Sequence, residues 1–428
     1  MQKSKSHPHR THKKFTELTK SGLPRRSIAD LATIGVLIFS LALCLDPTRQ
    51  VDKVTAIKYL PSISLLTVSI FYLFKGIPKH LSRNIFFVSF LVLIVLMFLG
   101  SIVALSKGAS VEQTYFGRAL NLTAFLSGAL FASRPNRIPL ITKPLSTAFV
   151  LLSAIGFALL TLRSLGIAFQ SFPHILHVET TFFVASISWL LWRSERYFVG
   201  IFFIAFLLFL YFFDKKSTTL VLIGVAAATL YGPLIKKFFS STNSTVREAS
   251  FGLRLLASSV FISFLGYYLY AVIFERVTRN TYDLRAEMWR LEWNNFLENP
   301  FFGKSFTDNP LYFLEGRFSD IFVSTHNDYL DILASGGLLG AFFYLMPFFY
   351  IIFSKRNFLN ILSSKKLRTS QHLFIFVFVF FAASSSGNPF ISIPRLAVIV
   401  MFSIGAAFSI TSSQKNQSRI IRLRTQCK

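Results

Sequence analysis

Apolar residues fall along this chain in long blocks, separated by short polar or basic connections. Twelve blocks read as membrane spans, at roughly 28–45, 55–74, 85–105, 117–132, 145–162, 178–192, 197–213, 218–235, 252–274, 338–353, 371–386 and 391–410. One long segment breaks the rhythm, between the ninth and tenth blocks. The pattern therefore divides the chain into a basic tail at 1–27, nine spans within 28–274, a large outer loop at 275–337, three spans within 338–410 and a second basic tail at 411–428. The predicted fold is an all-α integral membrane protein of about twelve transmembrane helices, with short helices inside the one large loop.

The connections carry the sidedness. With the amino terminus cytoplasmic, the cytoplasmic segments hold Lys75, Lys79 and Arg83, then Arg134, Arg137 and Lys143, then Arg193 and Arg196, then Lys236, Lys237 and Arg247. Lys355, Arg356, Lys365, Lys366 and Arg368 follow, and the tail adds Lys415, Arg419, Arg422 and Arg424. The opposite connections are poorer in Lys and Arg, and some contain Asp46, Asp52, Glu112 or Asp214. Such a bias puts both termini in the cytoplasm and 275–337 on the far side.

Composition narrows the class. The chain is 53% hydrophobic and only 15% charged, with a mean hydropathy of +0.53. A soluble domain of this length does not have that balance. The net charge of +26 would suggest nucleic acid in a soluble protein. Here the basic residues sit in short loops and tails, where the sidedness rule and anionic headgroups account for them. Nucleic acid is therefore not an expected partner; membrane lipids are. Two cysteines, Cys44 and Cys427, exclude a disulfide framework, and no metal-ligand spacing is present. The first block lacks a small-residue cleavage site and reads as a retained span. His7, His9 and His12 belong to a solvated tail.

Within the loop, Asp283 is a candidate cap for a helix from Leu284 to about Glu298, with Arg285, Trp289, Glu292 and Phe296 along one side. Trp293 widens the apolar stripe, so this helix lies on the membrane surface or packs on the span tops. Asn299-Pro300 ends it, and Gly303 marks a turn. A second helix opens with Thr325 as candidate cap and Asp328 as an acidic capping-box partner, and breaks at Gly336-Gly337.

Candidate chemistry gathers on that side. His326 in a first helical turn is held neutral by the backbone dipole and suits a general base, or else is a polar interfacial residue. Arg285 offers a fork of donors suited to phosphate, or else contacts headgroups or pairs with Glu287 or Glu292; Arg290 points elsewhere. Lys215 and Lys216, followed by hydroxyl residues at the start of the eighth span, make an anion site or a snorkelling anchor. Glu179 either contacts a sugar, pairs with an arginine or is structural; Arg395 either adds a cation to the same vestibule or is structural.

Taken together, R-x-x-x-W at Arg285 and Trp289, then Asn299-Pro300-Phe301-Phe302-Gly303, then His326-Asn327-Asp328-Tyr329-Leu330 and the glycines from Gly336 to Gly340 resemble the O-antigen ligase and O-antigen polymerase superfamily. The resemblance implies a glycosyltransferase of the bacterial inner membrane, with its active site in a periplasmic loop. The donor would be a glycan on a polyprenyl diphosphate. The acceptor would be a sugar of the lipid A–core in a ligase, or another lipid-linked repeat unit in a polymerase. It implies no cofactor and no metal, with His326 and Arg285 catalytic, Arg285, Lys216 and Lys215 on the diphosphate, and Asn327 in support. Family members usually carry an arginine where this chain has Lys215-Lys216-Ser217; lysine keeps the charge and loses the fork. A transporter or flippase for a lipid-linked anion is the reading from a different class. It is disfavoured because the charged candidates gather at one face rather than at mid-membrane depth.

Overall fold

The stretch FGRALNLTAFLSGALFA is the predicted span richest in small residues, and small residues let helix backbones approach closely. A computed structural model puts it at the centre of the molecule. The structure describes residues 27–44, 54–134, 284–308, 311–313, 322–324, 327–353 and 390–426, together with residues 137 and 155. The described helices are α1 (Ile28–Leu43), α2 (Thr55–Phe74), a single turn α3 (Lys79–Ser82), α4 (Ile85–Ser106), α5 (Phe116–Ala132), α6 (Leu284–Glu298), α7 (Asp328–Phe353) and α8 (Pro394–Gln426). Four of them are long and apolar enough to cross a membrane, over Ala56–Phe74, Ile85–Ser106, Asp328–Ile351 and Pro394–Ser413. α1 and α5 are shorter apolar helices. The spans predicted at 145–162, 178–192, 197–213, 218–235, 252–274 and 371–386 lie outside the described residues.

Every residue of α5 except Phe116 and Leu126 is buried. Its closest partner is α8, and the crossing is made by glycine on both sides. A methyl group on Gly128 would collide with the Phe402 carbonyl, and one on Gly405 with the Phe125 carbonyl. Polar side chains join α5 to α2, as expected where no water competes. The Ser127 hydroxyl donates to the Leu65 carbonyl (2.8 Å) and also meets Ser69, while the Ser62 hydroxyl donates to Asn121 Oδ1 (2.6 Å).

α1, α2, α4 and α5 alternate in direction. At one end, the start of α1 meets the end of α2 and the residues after α5. Ser27 and Asp30 form a reciprocal capping box, Asp30 accepts from the Tyr72 hydroxyl (3.0 Å), and Arg137 Nε reaches the same carboxylate (3.2 Å). At the other end, the starts of α5, α7 and α8 gather beside the last turns of α1 and α4. There Ser40 donates to the Arg395 carbonyl (2.5 Å).

α4 shows what surrounds the bundle. Phe87, Phe90, Ile94, Met97 and Ser101 are buried, whereas Val88, Val92, Val95, Leu99, Ile102 and Val103 are exposed. A helix apolar on both its buried and its exposed face belongs in hydrocarbon. The same holds for α2, where Ile63, Ile70 and Phe71 face outward.

Three details differ from the sequence reading. The last span, over Pro394–Ser413, agrees with the predicted one, but its helix runs on to Gln426, through most of the stretch assigned to a tail. α7 starts at Asp328, ten residues before the predicted tenth span, because its first turns are covered by protein. The loop also holds a two-stranded antiparallel ribbon, β1 (Leu311–Phe313) with β2 (Phe322–Ser324), in the register Leu311↔Ser324 and Phe313↔Phe322. Its aromatic and β-branched residues suit a pleated pair.

Candidate functional site

α6 occupies Leu284–Glu298, the range read from the sequence, and of the side read there Glu292 is buried and Trp289 and Phe296 are half-buried. Met288 and Glu292, four residues apart, face protein, while Trp293 is 48% and Leu297 57% exposed. The chain then turns at Asn299–Thr307 and lies against α7 where α7 is interrupted. Gly337 has φ 62° and ψ −163°, outside helical geometry, so the backbone groups around it lose their helical partners.

The turn supplies the missing partners. Leu338 N–H donates to the Pro300 carbonyl (2.8 Å) and Leu339 N–H to Phe301 (3.2 Å). In the other direction, Phe306 N–H donates to the Ser335 carbonyl (3.0 Å) and Lys304 N–H to Ala334 (3.3 Å). Gly303, at φ 56°, sits against the break, and a side chain there would meet the Gly337 nitrogen at 2.6 Å. Phe306 closes the turn with a positive φ of 58° and a buried ring. That ring packs edge-on to Tyr115 (5.3 Å), in space left open by Gly336 and Gly340. The Asn-Pro-Phe-Phe-Gly turn and the Gly-Gly break are thus two halves of one unit, joining α6 to α7.

This unit predicts a test. Gly337→Ala puts a side chain at a φ/ψ combination open essentially to glycine, costing about 1–3 kcal/mol, and drives it into the Phe301 carbonyl. The expected result is a clear fall in the melting temperature of the purified protein. Gly35→Ala on α1, with nothing within 4 Å, should leave it unchanged or slightly raised.

The first turn of α7 is held more tightly still. Asn327 Oδ1 accepts from Tyr329 N–H and Leu330 N–H (both 3.1 Å), so Asn327 is the cap rather than Thr325. Asp328 is consequently the first helical residue and not a capping-box acid. Its carboxylate accepts from Phe390 N–H (2.9 Å) and Ile391 N–H (3.3 Å), in the turn before α8. Asn121 reaches the same turn through its amide, donating to the Ile391 carbonyl (2.8 Å). One helical step on, Asp331 forms a buried ion pair with Arg118 of α5 and accepts from the Tyr115 hydroxyl (3.0 Å). Tyr115 also meets Ser335. Burial, helped by the Asp331 carboxylate, pushes the Tyr115 phenol well above its ordinary range, so the hydroxyl stays a donor. Two acids in a first turn also suit the positive end of the helix.

The predicted site residues distribute as follows. Asn327 caps α7. Arg290 is exposed on α6, away from the buried Met288 and Glu292 side. Arg395 lies in the first turn of α8 with its side chain buried (3% exposed), among the helix starts. Arg285 stands in the first turn of α6, with its side chain outside the described residues. His326, Lys215, Lys216 and Glu179 also lie outside them, and α7 begins two residues after His326. The sequence reading missed Arg118 and Tyr115, although a single arginine inside an apolar block is itself a signal. Among the described residues, no group of three His, Cys, Asp or Glu side chains is arranged to hold a metal ion.

The docked unit falls where a known family is matched. Residues 180–345 match the family model described as O-antigen ligase, a stretch whose described part is α6, the turn, the ribbon and α7 as far as residue 345. No curated protein and no solved structure matches the chain. Arg118, Tyr115 and Asp328's partners on the turn before α8 lie outside the matched residues, as the framework that holds the matched part in place. Over residues 180–345, this multi-pass chain is thus similar to the O-antigen ligase family.

Proposed function

We propose that the protein is a ligase-type glycosyltransferase. It moves a glycan from a polyprenyl diphosphate carrier to a sugar of the lipid A–core, at the periplasmic face of the bacterial inner membrane. One observation carries this reading beyond the family match. The turn at 300–306 fastens the helix bearing Arg285 to the helix that begins just after His326, so that loop segments far apart in sequence act as one body. Preorganisation of that kind is what transfer between two bulky lipid-linked substrates requires.

In the proposed reaction Arg285 and Lys216, with Lys215, hold the donor diphosphate. The acceptor hydroxyl gives its proton to His326 as its oxygen attacks the anomeric carbon from the face opposite the carrier. The bond from that carbon to the carrier oxygen breaks, and its electron pair leaves with the diphosphate, inverting the configuration. Cations placed at the leaving group stabilise the charge that develops there. No step calls for a metal or a cofactor.

The anchoring of Asp328 and Asp331 serves this chemistry indirectly. With both acids tied to α5 and to the turn before α8, the residues just ahead of α7 emerge from a fixed base.

The deciding experiment is transfer by the purified protein from a polyprenyl-linked donor, with no ion gradient, offered lipid A–core and lipid-linked repeat units in parallel. Transfer to lipid A–core is the expected result. Growth of the lipid-linked chain alone would make the protein a polymerase, and no transfer to either would remove the enzyme reading.

A further inference from the structure

Phe301 and Phe302 are 67% and 59% exposed, although they belong to the turn that is otherwise tied so closely to α7. Their depth explains why. The backbone of Ser305 and Phe306 lies directly on Gly100 of α4, where an added side chain would meet the Ser305 oxygen at 2.5 Å. Gly100 is not at the end of α4. The helix continues to Ser106, which carries it about 9 Å further at 1.5 Å per residue. Its full length of 22 residues corresponds to about 33 Å, the thickness of a bilayer's hydrocarbon. At and above the level of Gly100, α4 still turns Leu99, Ile102 and Val103 outward. The turn thus sits below the rim of the bundle, at a height where the surroundings are apolar.

Its construction fits that height. Irregular backbone is tolerated in hydrocarbon only where its polar groups are satisfied by protein, and carbonyls and N–H groups of this turn pair with those around the Gly337 break. The large side chains it leaves outward are Phe301 and Phe302, beside Leu338 and Leu339 just past the Gly337 break, while Asn299 and Ser305 are also exposed and Lys304 is paired with Asp308 (2.7 Å) at the end of the turn. Leu297 and Trp293 on α6 and Phe342 on α7 are exposed as well.

We propose that the 299–307 turn re-enters the membrane, with Phe301, Phe302, Leu297 and Leu338 lying against the acyl chains of the adjacent leaflet. The surface is continuous with the outward apolar faces of α4 and α7. That favours bilayer lipid over a second copy of the chain or the carrier's isoprenoid chain as its occupant. The large loop is then not wholly outside the bilayer: its first arm is a wedge sunk into it. This holds whether or not the protein is a ligase.

The test uses the full-length protein with Cys44→Ala and Cys427→Ser, and a single new cysteine carrying a bimane fluorophore, in proteoliposomes. Phe302→Cys is the probe, with Phe301→Cys as the second variant should the first fail to give monodisperse protein. Lys107→Cys, exposed just past the end of α4, is the aqueous reference. The expected result is loss of fluorescence at 302 with lipids doxyl-labelled high on the acyl chain and little loss with iodide, and the reverse order at 107. Quenching at 302 by iodide to the extent seen at 107 would overturn the proposal. So would shielding from both quenchers, which means a protein cover. Lipid quenching that disappears when a polyprenyl-linked donor is added would assign the surface to the carrier instead.

Discussion

Arg118→Met is expected to destabilise the protein by roughly 3–5 kcal/mol, the usual penalty for leaving one member of a buried ion pair without its partner. Arg118 and Asp331 are both almost fully buried, with side-chain exposures of 8% and 3%. Methionine occupies similar space, so the loss is electrostatic rather than a cavity. Asp331 keeps the Tyr115 hydroxyl, but one hydrogen bond does not neutralise a carboxylate so far from water. The measurement is thermal unfolding in detergent, with Arg118→Met combined with Asp331→Leu as the control. Removing both charges should restore most of the stability, because a well-packed apolar pair replaces a buried ionic one at little cost. A single variant as stable as the parent would mean that water reaches Asp331. Transfer activity is expected to stay low in the double variant, since the first turn of α7 has lost a tether on its α5 side.

His326→Ala is expected to act the other way round, on chemistry and not on stability. If the imidazole takes the acceptor proton, its loss should lower transfer by about 10²–10⁴-fold, the range for a positioned general base. The melting temperature should stay within a degree or so of the parent, as for substitutions away from buried networks. Transfer at close to the normal rate would remove His326 from the mechanism. A fall in melting temperature as large as that of Arg118→Met would make His326 a structural residue. The two variants therefore separate the frame from the reacting groups: one loses both stability and activity, the other activity alone.

What could be read from the sequence followed how local the cause was. The bounds of α6 follow from a polar break, Asn299-Pro300, and a periodic stretch before it, and they agree with Leu284–Glu298. The break at Gly336-Gly337 was also visible, since paired glycines interrupt a helix wherever they stand; the structure puts the irregular residue at Gly337. That the Phe-Phe-Gly turn fills this break was not visible, because the pairing is between backbone groups and leaves no pattern in side chains. The cap of α7 shows a closer miss. Thr325, Asn327 and Asp328 are all good capping types. The choice falls on Asn327 because Asp328 is drawn to N–H groups 62 and 63 residues further along, at Phe390 and Ile391. Asp331 carries no local signal of its role, since its partner Arg118 is 213 residues away. Of the candidate site, the sequence names the side chains proposed for the chemistry, and the structure adds the long-range contacts that fix the first turn of α7.

The glycine crossing between α5 and α8 has a consequence for how the molecule is made. Asn121 waits for Ile391 across 270 residues of chain, and Ser40 for Arg395 across 355. While the ribosome is still extending the middle of the protein, α5 sits in lipid with its Gly128 furrow, Arg118 and Asn121 uncovered. A charge without its counterion and an amide N–H without its acceptor make such an intermediate a natural client for insertion factors and a target for quality-control proteases. Assembly is then governed by the arrival of the final helix, so that ribosomal stalling before residue 390 should leave a nascent chain marked for destruction rather than a stable half-bundle.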